Sequence, residues 1–382
     1  MRQRSDERAT IETVQYYFTK IGPGNALAAP LLEDRRMGTQ AIAGFFRGVR
    51  LPEIRDHVGD QRPRFSYQAL DLYRWATGEL QGYAINLAQG IFRVLAPAGE
   101  MYEVERDLFE KSVGPTPHTD DVPKLVPVHE VYRERMTHIP TLLTQINANR
   151  RLSSSTFKVI TDDFGNNFAI DYLLFKGGLL EGYPRSTPET RTIQHLLLCL
   201  GANELISLVA RILEEQGLYV PAPNGGFVKN VDLFAYNDSP RTLDIAGLRV
   251  PGRSAFRSGA ITLQVKGIST DTRPEVSPEV DYLVQLNAET AGRNSSDGVT
   301  SDGTATGGAA LEETATDSDT RSTGRVLNAE WIETMLRRSP STRRYLNRLL
   351  RWVPFAGSVI RALETRELED RSAADHNPPP GR

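Results

Sequence analysis

From residue 190 onward the hydrophobic period switches from that of a helix to that of a strand. No other feature restricts the fold of this chain as much. "TRTIQHLLLCLGANELISLVARILEEQG" carries apolar residues at three- and four-residue spacing, with Gly217 placed to end the helix. Three strand candidates follow, "NVDLFAYN", "LDIAGLRV" and "AITLQVKG", and a fourth, "VDYLVQLN", comes after a polar stretch. A helix succeeded by strands buries its apolar side by packing on the sheet those strands form. The expected class is α+β: a mainly helical N-terminal region, an α/β core with a mixed sheet flanked by helices, and a helical C-terminal segment.

The segments before residue 150 read as helical. "RATIETVQYYFTKIG", "TQAIAGFFRGV", "FSYQALDLYRWATGELQGYAINLAQGIFRVLA" and "MYEVERDLFEKSV" all show spacings of three and four, divided by glycine and proline. "SVGPTPHTDDVPKLVPVHE" is proline-rich and reads as a surface connection. "TQAIAGFFRGVRLPEIRDHV" can be arranged as a helix-turn-helix with Arg47, Arg50 and Arg55 towards DNA, although helical hairpins in general share this pattern. "STFKVITDDFGNNFAIDYLLF" reads as two β-rich runs around a turn. Turn chemistry accounts for Asp162 and Asp163 there, and with Asp171 they lack the alternating oxygen ligands of a calcium loop.

The expected organisation is therefore a helical region over 1–150, a hairpin and connector over 151–189, and an α/β domain over 190–342. A loop at 288–324, rich in Gly, Ser, Thr, Ala and Asp and without aromatics, interrupts that domain and reads as disordered. A basic amphipathic segment follows over 343–368, with Arg343, Arg344, Arg348 and Arg351, and then a disordered tail over 369–382. The basic segment suits phosphates or a membrane surface, or a helix that lays its Leu and Trp side on the body.

Composition excludes several classes. At 382 residues, with 39% hydrophobic content, the chain can build one or two cores. It has no apolar run long enough to cross a membrane and no signal-peptide core, so a cytoplasmic location is expected. The single cysteine, Cys199, rules out an intrachain disulfide and a cysteine zinc site. A net charge of -3 gives no global attraction to nucleic acid, though charge can be arranged locally. Signatures of serine hydrolases, P-loop enzymes, kinases and dinucleotide enzymes are missing, and the six histidines have no metal-type spacing.

One constellation carries chemistry. In "ITLQVKG" alternate residues share a face, so Gln264 and Lys266 point one way while Leu263 and Val265 point the other. "NVDLFAYN" places Asp232 between apolar residues at a strand start, and the preceding helix carries Glu204. Phosphodiester hydrolysis needs a divalent cation held by oxygen ligands and a group that orients the attacking water. Asp232, the Gln264 amide oxygen and Glu204 suit the first need, with the Val265 carbonyl as a further ligand; Lys266 suits the second. Taken singly, each has a structural reading: a cap, a solvated helix face, the wet side of an edge strand.

The order "GANELISLVARILEEQGLYV…NVDLFAYN…ITLQVKG…VDYLVQLN" resembles the PD-(D/E)XK, or restriction-endonuclease-like, nuclease superfamily, including its Holliday-resolvase-like members. The resemblance spans about 195–287. It implies a restriction-endonuclease-like core in which Glu204 stands at the family's acidic helix position, Asp232 at the first metal ligand, Gln264 at the second and Lys266 at the lysine. It also implies Mg²⁺- or Mn²⁺-dependent cleavage of DNA, in restriction, defence or DNA processing, with DNA as partner, a homodimer as an allowed state and no membrane. Two departures stand out: Gln264 replaces the usual carboxylate, and "PRTLDIAGLRVPGRSAFRSG" lengthens the gap after Asp232. The competing readings are a non-catalytic nucleic-acid-binding protein on the same fold and a viral or phage assembly protein.

Overall fold

The computed structural model describes residues 14–57, 67–117, 121–146, 157–160, 164–180, 191–221, 228–254, 259–267, 276–286 and 325–365. The loop expected at 288–324 and the tail at 369–382 lie outside them, as do Asp162 and Asp163. The chain divides into two compact units, Met1–Pro184 and Arg185–Arg382. Both helices and strands build each unit, as the α+β class requires.

The first unit is built on a sheet, which corrects the mainly helical reading of 1–150. Its strands are β1 (Tyr16–Thr19), β2 (Ala41–Gly44), β3 (Tyr83–Ala88), β4 (Ile91–Pro97), β5 (Tyr102–Glu103), β6 (Lys124–Arg135) and β7 (Phe157–Val159). They form one seven-stranded sheet in the order β2-β6-β4-β3-β1-β7, with β5 on β6. Only the β1–β3 pair is parallel within this sheet. The helices are α1 (Leu51–Asp56), α2 (Tyr67–Thr77), α3 (Arg106–Ser112), α4 (Thr141–Thr144) and α5 (Phe164–Lys176).

The misreading has a physical cause. β1 and β2 are buried at every position, and β3 at every position but Tyr83, so the alternation that marks a half-buried strand is absent. The β3–β4 link does carry a turn signal: Gln89 (φ 54°) and Gly90 (φ 73°) both lie in the left-handed region, as a two-residue hairpin turn requires. The proline-rich stretch expected to be a surface connection contributes β6, which pairs with β2, β4 and β5. Pro127 lacks an N–H, but its carbonyl accepts from Ala98 N at 2.8 Å.

The helix-turn-helix reading is likewise corrected. Ala41–Gly44 is a fully buried strand, and Arg50 pairs with Glu103 at 2.9 Å, where Glu103 also accepts the Leu51 N–H at 2.6 Å. The expected β-hairpin becomes β7 followed by helix α5, whose buried residues Phe168, Ala169, Ile170, Leu173 and Leu174 follow the helical period. Asp171 on α5 accepts a hydrogen bond from the buried Tyr16 hydroxyl. Burial pushes the Asp171 carboxyl above the usual carboxylate range, and the Tyr16 bond opposes this.

The second unit follows the expected helix-then-strand order. Helices α6 (Ile193–Leu198) and α7 (Ala202–Glu215) precede β8 (Leu233–Tyr236), the hairpin β9 (Leu243–Ile245) and β10 (Leu248–Val250), then β11 (Ala260–Lys266), β12 (Tyr282–Gln285) and β13 (Arg325–Leu327). Helices α8 (Ala329–Arg337), α9 (Pro340–Leu349) and α10 (356–365) complete it. The sheet order is β13-β12-β11-β8, with β11 antiparallel to β8 and parallel to β12, and β12 parallel to β13. Tyr219, just beyond α7, bridges antiparallel to Tyr236 and extends the β8 edge.

α7 buries Leu205, Ile206, Leu208, Val209, Ala210, Ile212 and Leu213, and packs on β8, β11 and α9. Among the described residues between Asp232 and Gln264 is the β9–β10 hairpin, turned by Ala246 (φ 52°) and Gly247 (φ 90°). Trp331 of α8 donates its indole N–H to Ile245 O at 3.2 Å, and the Tyr282 hydroxyl accepts from Arg249 N at 2.8 Å. These bonds fasten the hairpin to the unit without lengthening the sheet. Cys199 is buried at 1% exposure.

Candidate functional site

The ladder between β8 and β11 sets the geometry of the site. Its last pair is Leu233 with Leu263, and Asp232 stands immediately before Leu233 at that end of the ladder. Along β11 the buried positions Ile261, Leu263 and Val265 alternate with the half-buried Thr262, Gln264 and Lys266. Along β8, Leu233 and Ala235 are buried while Asp232, Phe234 and Tyr236 are half-buried. Asp232, Gln264 and Lys266 therefore lie on one face of two paired strands.

The Asp232 backbone N–H donates to Leu263 O at 2.8 Å, and its carboxylate Oδ2 accepts the Val265 N–H at 2.7 Å. The side chain thus continues the ladder past the end of β8 and is held by it. Burial pushes the Asp232 carboxyl above the usual carboxylate range; the Val265 N–H and the positive charge of Lys266 oppose that rise.

The start of β11 is fixed by a close approach. A Cβ at Gly259 would lie 2.5 Å from Asn237 O and 2.6 Å from Pro251 O, so only glycine fits there. Gly259 O accepts from Asn237 N at 2.7 Å, tying the entry of β11 to the exit of β8.

Glu204 has a different setting. Its carboxylate accepts the Gly201 N–H at 2.9 Å, binding it back to the start of α7. This is the return half of a capping box; glycine at the N-cap has no side chain to supply the other half. Its observed bond is to its own helix.

Sequence reasoning missed Gln285. It is Lys266's partner in the β11–β12 register and has 0% exposure. A polar residue ending the otherwise apolar run "YLVQ" was the available signal. The adjoining Asp281 accepts from Thr262 N at 2.8 Å and secures the opposite end of the same pair of strands.

Among the described residues, no group of three His, Cys, Asp or Glu side chains gathers to hold a metal. Beside Lys266 the shared face offers the Asp232 carboxylate and the Gln264 amide as oxygen donors, while the Thr262 hydroxyl further along is bonded to Glu279 O and Asp281. Magnesium binds through one or two carboxylates and keeps several waters, so this set fits a hard, largely hydrated divalent cation and does not form a closed protein cage.

Family models, curated proteins and solved structures were all compared with this chain, and none matches.

Proposed function

We propose that the chain is a metal-dependent phosphodiesterase acting on DNA, with its site on the shared face of β8 and β11. The observation that carries this reading is the Asp232 carboxylate fastened to the Val265 N–H, between Gln264 and Lys266 on the half-buried face of β11. A divalent cation bound there would stabilise the charge that develops on a phosphodiester under attack. Asp232, braced by the Val265 N–H, holds the carboxylate edge, and the Gln264 amide adds a neutral oxygen ligand. Lys266 supplies a fixed positive charge for the scissile phosphate and orients the attacking water. Glu204 is left in its capping role. This reading agrees with the resemblance to the PD-(D/E)XK nucleases, and its proposed setting is the cytoplasm. Among the described residues no helix is long and apolar enough to cross a membrane.

A second reading draws on one observation. The donor set has a single carboxylate where nucleases of this type usually have two, and a neutral amide weakens cation binding by one charge. The alternative is a nucleic-acid-binding protein without catalysis. Cleavage of supercoiled, linear, single-stranded and branched DNA in Mg²⁺ or Mn²⁺ separates the two. The proposal expects metal-dependent cutting that is abolished by Asp232→Ala and reduced about 10²- to 10³-fold by Lys266→Ala. Variants that keep the parent's circular dichroism spectrum and yet cut at its rate would overturn it.

A further inference from the structure

Between Glu333 and Glu364 the chain contains Arg337, Arg338, Arg343, Arg344, Arg348, Arg351 and Arg361, and no Asp or Glu. In a chain of net charge -3, this concentration is local. Two of these arginines have structural work. Arg343, 5% exposed, donates to Leu336 O at 2.9 Å and to Arg337 O at 2.6 Å, closing the C-terminal end of α8. Arg337 pairs with Glu333 at 2.7 Å. The expectation that Arg343 belongs to the solvent-facing basic set is corrected by that burial.

Arg344, Arg348 and Arg351 are in a different position. The first two stand one turn apart on α9 and the third lies in the turn that follows; all are exposed, and none forms an ion pair among the described residues. On the opposite side of α9, Thr342 and Leu346 are buried. Arg211 of α7 extends the positive face: it is exposed, with its guanidinium 4.1 Å above the Tyr345 ring. Of the neighbouring carboxylates on α7, Glu214 is exposed, while Glu215 accepts from Ser341 N at 2.9 Å and Thr342 N at 3.0 Å at the start of α9.

We propose that Arg344, Arg348 and Arg351 form a contact surface for the phosphate backbone of DNA. Adjacent exposed guanidiniums without carboxylate partners suit a row of phosphates. An anionic membrane would also attract such a row, but lipid binding by an amphipathic surface needs apolar groups to insert. The large exposed hydrophobics among the described residues are Val14, Tyr67, Leu108, Leu179, Tyr219 and Val228, none of them in this segment. Leu346, Leu350, Val353, Phe355, Ile360 and Leu363 are all buried. α7, which packs on both α9 and the strands of the Asp232 site, joins this surface to that site within one unit. The choice of DNA over other polyphosphates rests on the proposed function; the phosphate surface itself does not.

The test uses the full chain carrying Asp232→Asn, so that the probe stays intact, and a fluorescently labelled mixed-sequence DNA duplex whose binding is followed by anisotropy over a salt series. Replacing all three arginines with glutamine is expected to weaken binding at least tenfold at low salt. The plot of log affinity against log salt should flatten by roughly 2.7, at about 0.9 for each phosphate the protein no longer neutralises. The melting temperature should hold, because the side chains are exposed. An unchanged slope with unchanged affinity overturns the surface, even if the parent cleaves DNA. Binding of the parent to phosphatidylglycerol vesicles but not to the duplex overturns it in favour of a membrane. A flattened slope in a chain that never cuts supports the surface and removes the catalytic reading alone.

Discussion

Asp232 is the residue at which stability and function are expected to conflict. Its carboxyl is raised by burial, so the folded state binds the proton more tightly than the unfolded chain. For a raised group the stabilising contribution is full below the unfolded value, about 3.9 for aspartate, and is lost as pH rises through the folded one. At neutral pH the charged side chain therefore destabilises the fold. Asp232→Asn keeps an acceptor for the Val265 N–H and removes the charge. Its melting temperature should exceed the parent's at pH 7, and the gap should close as the pH falls below the carboxylate range. A gap that is absent at pH 7 would contradict this electrostatic account. Glu204 provides the contrast: as a cap, Glu204→Ala should cost about 0.5–1 kcal/mol in denaturant unfolding. Glu204→Gln, which retains an acceptor for the Gly201 N–H, should recover most of that and leave any cleavage unchanged. Loss of cleavage in Glu204→Gln would return Glu204 to the site.

At the scale of elements, β8 and β11, each with one half-buried face, were legible in the sequence, as was the short, fully buried β12 after its polar stretch. β8 and β11 alternate because Asp232, Gln264 and Lys266 occupy a face that is not sealed, and the same polar residues that define the candidate site make the period visible. β1, β2 and most of β3 carry no such mark, since both sides of the sheet are covered. Burial there reaches even charged residues. Arg93 on β4 has 0% exposure and stands directly opposite Arg133 on β6, a like-charge pair that only bridging carboxylates make tolerable. Glu33 supplies both bridges, accepting from Arg133 at 2.9 Å and from Arg93, while Glu130 lies 3.3 Å from Arg93. No periodic pattern in the sequence signals this cluster, because its members come from three separate segments. Arg93→Ala leaves Glu33 and Glu130 without their buried partner and should destabilise the protein by roughly 3–5 kcal/mol in urea unfolding. A loss below about 1 kcal/mol would show that water takes over the role of the guanidinium.

For the molecule as a whole, the sequence showed the helix-then-strand order of the second unit and misread the sheet of the first as helical. The order helix, Asp strand, Gln-x-Lys strand and closing strand is reproduced by α7, β8, β11 and β12, and the long gap after Asp232 contains the β9–β10 hairpin. What could not be read was which polar groups serve structure. Glu204 and Arg343 both sit at helix ends and satisfy backbone groups there, and from sequence alone they cannot be told from ligands or phosphate-binding groups.

In the proposed function, Asp232 and Gln264 hold the cation on which cleavage depends. The dependence of the DNA cleavage rate on Mg²⁺ concentration, measured for the parent, Asp232→Asn and Gln264→Glu side by side, tests it most directly. The account predicts no cleavage by Asp232→Asn at any Mg²⁺ concentration. For Gln264→Glu it predicts half-maximal rate at a lower Mg²⁺ concentration than the parent, because a second carboxylate joins the donor set. Identical Mg²⁺ curves for the parent and both variants would contradict it.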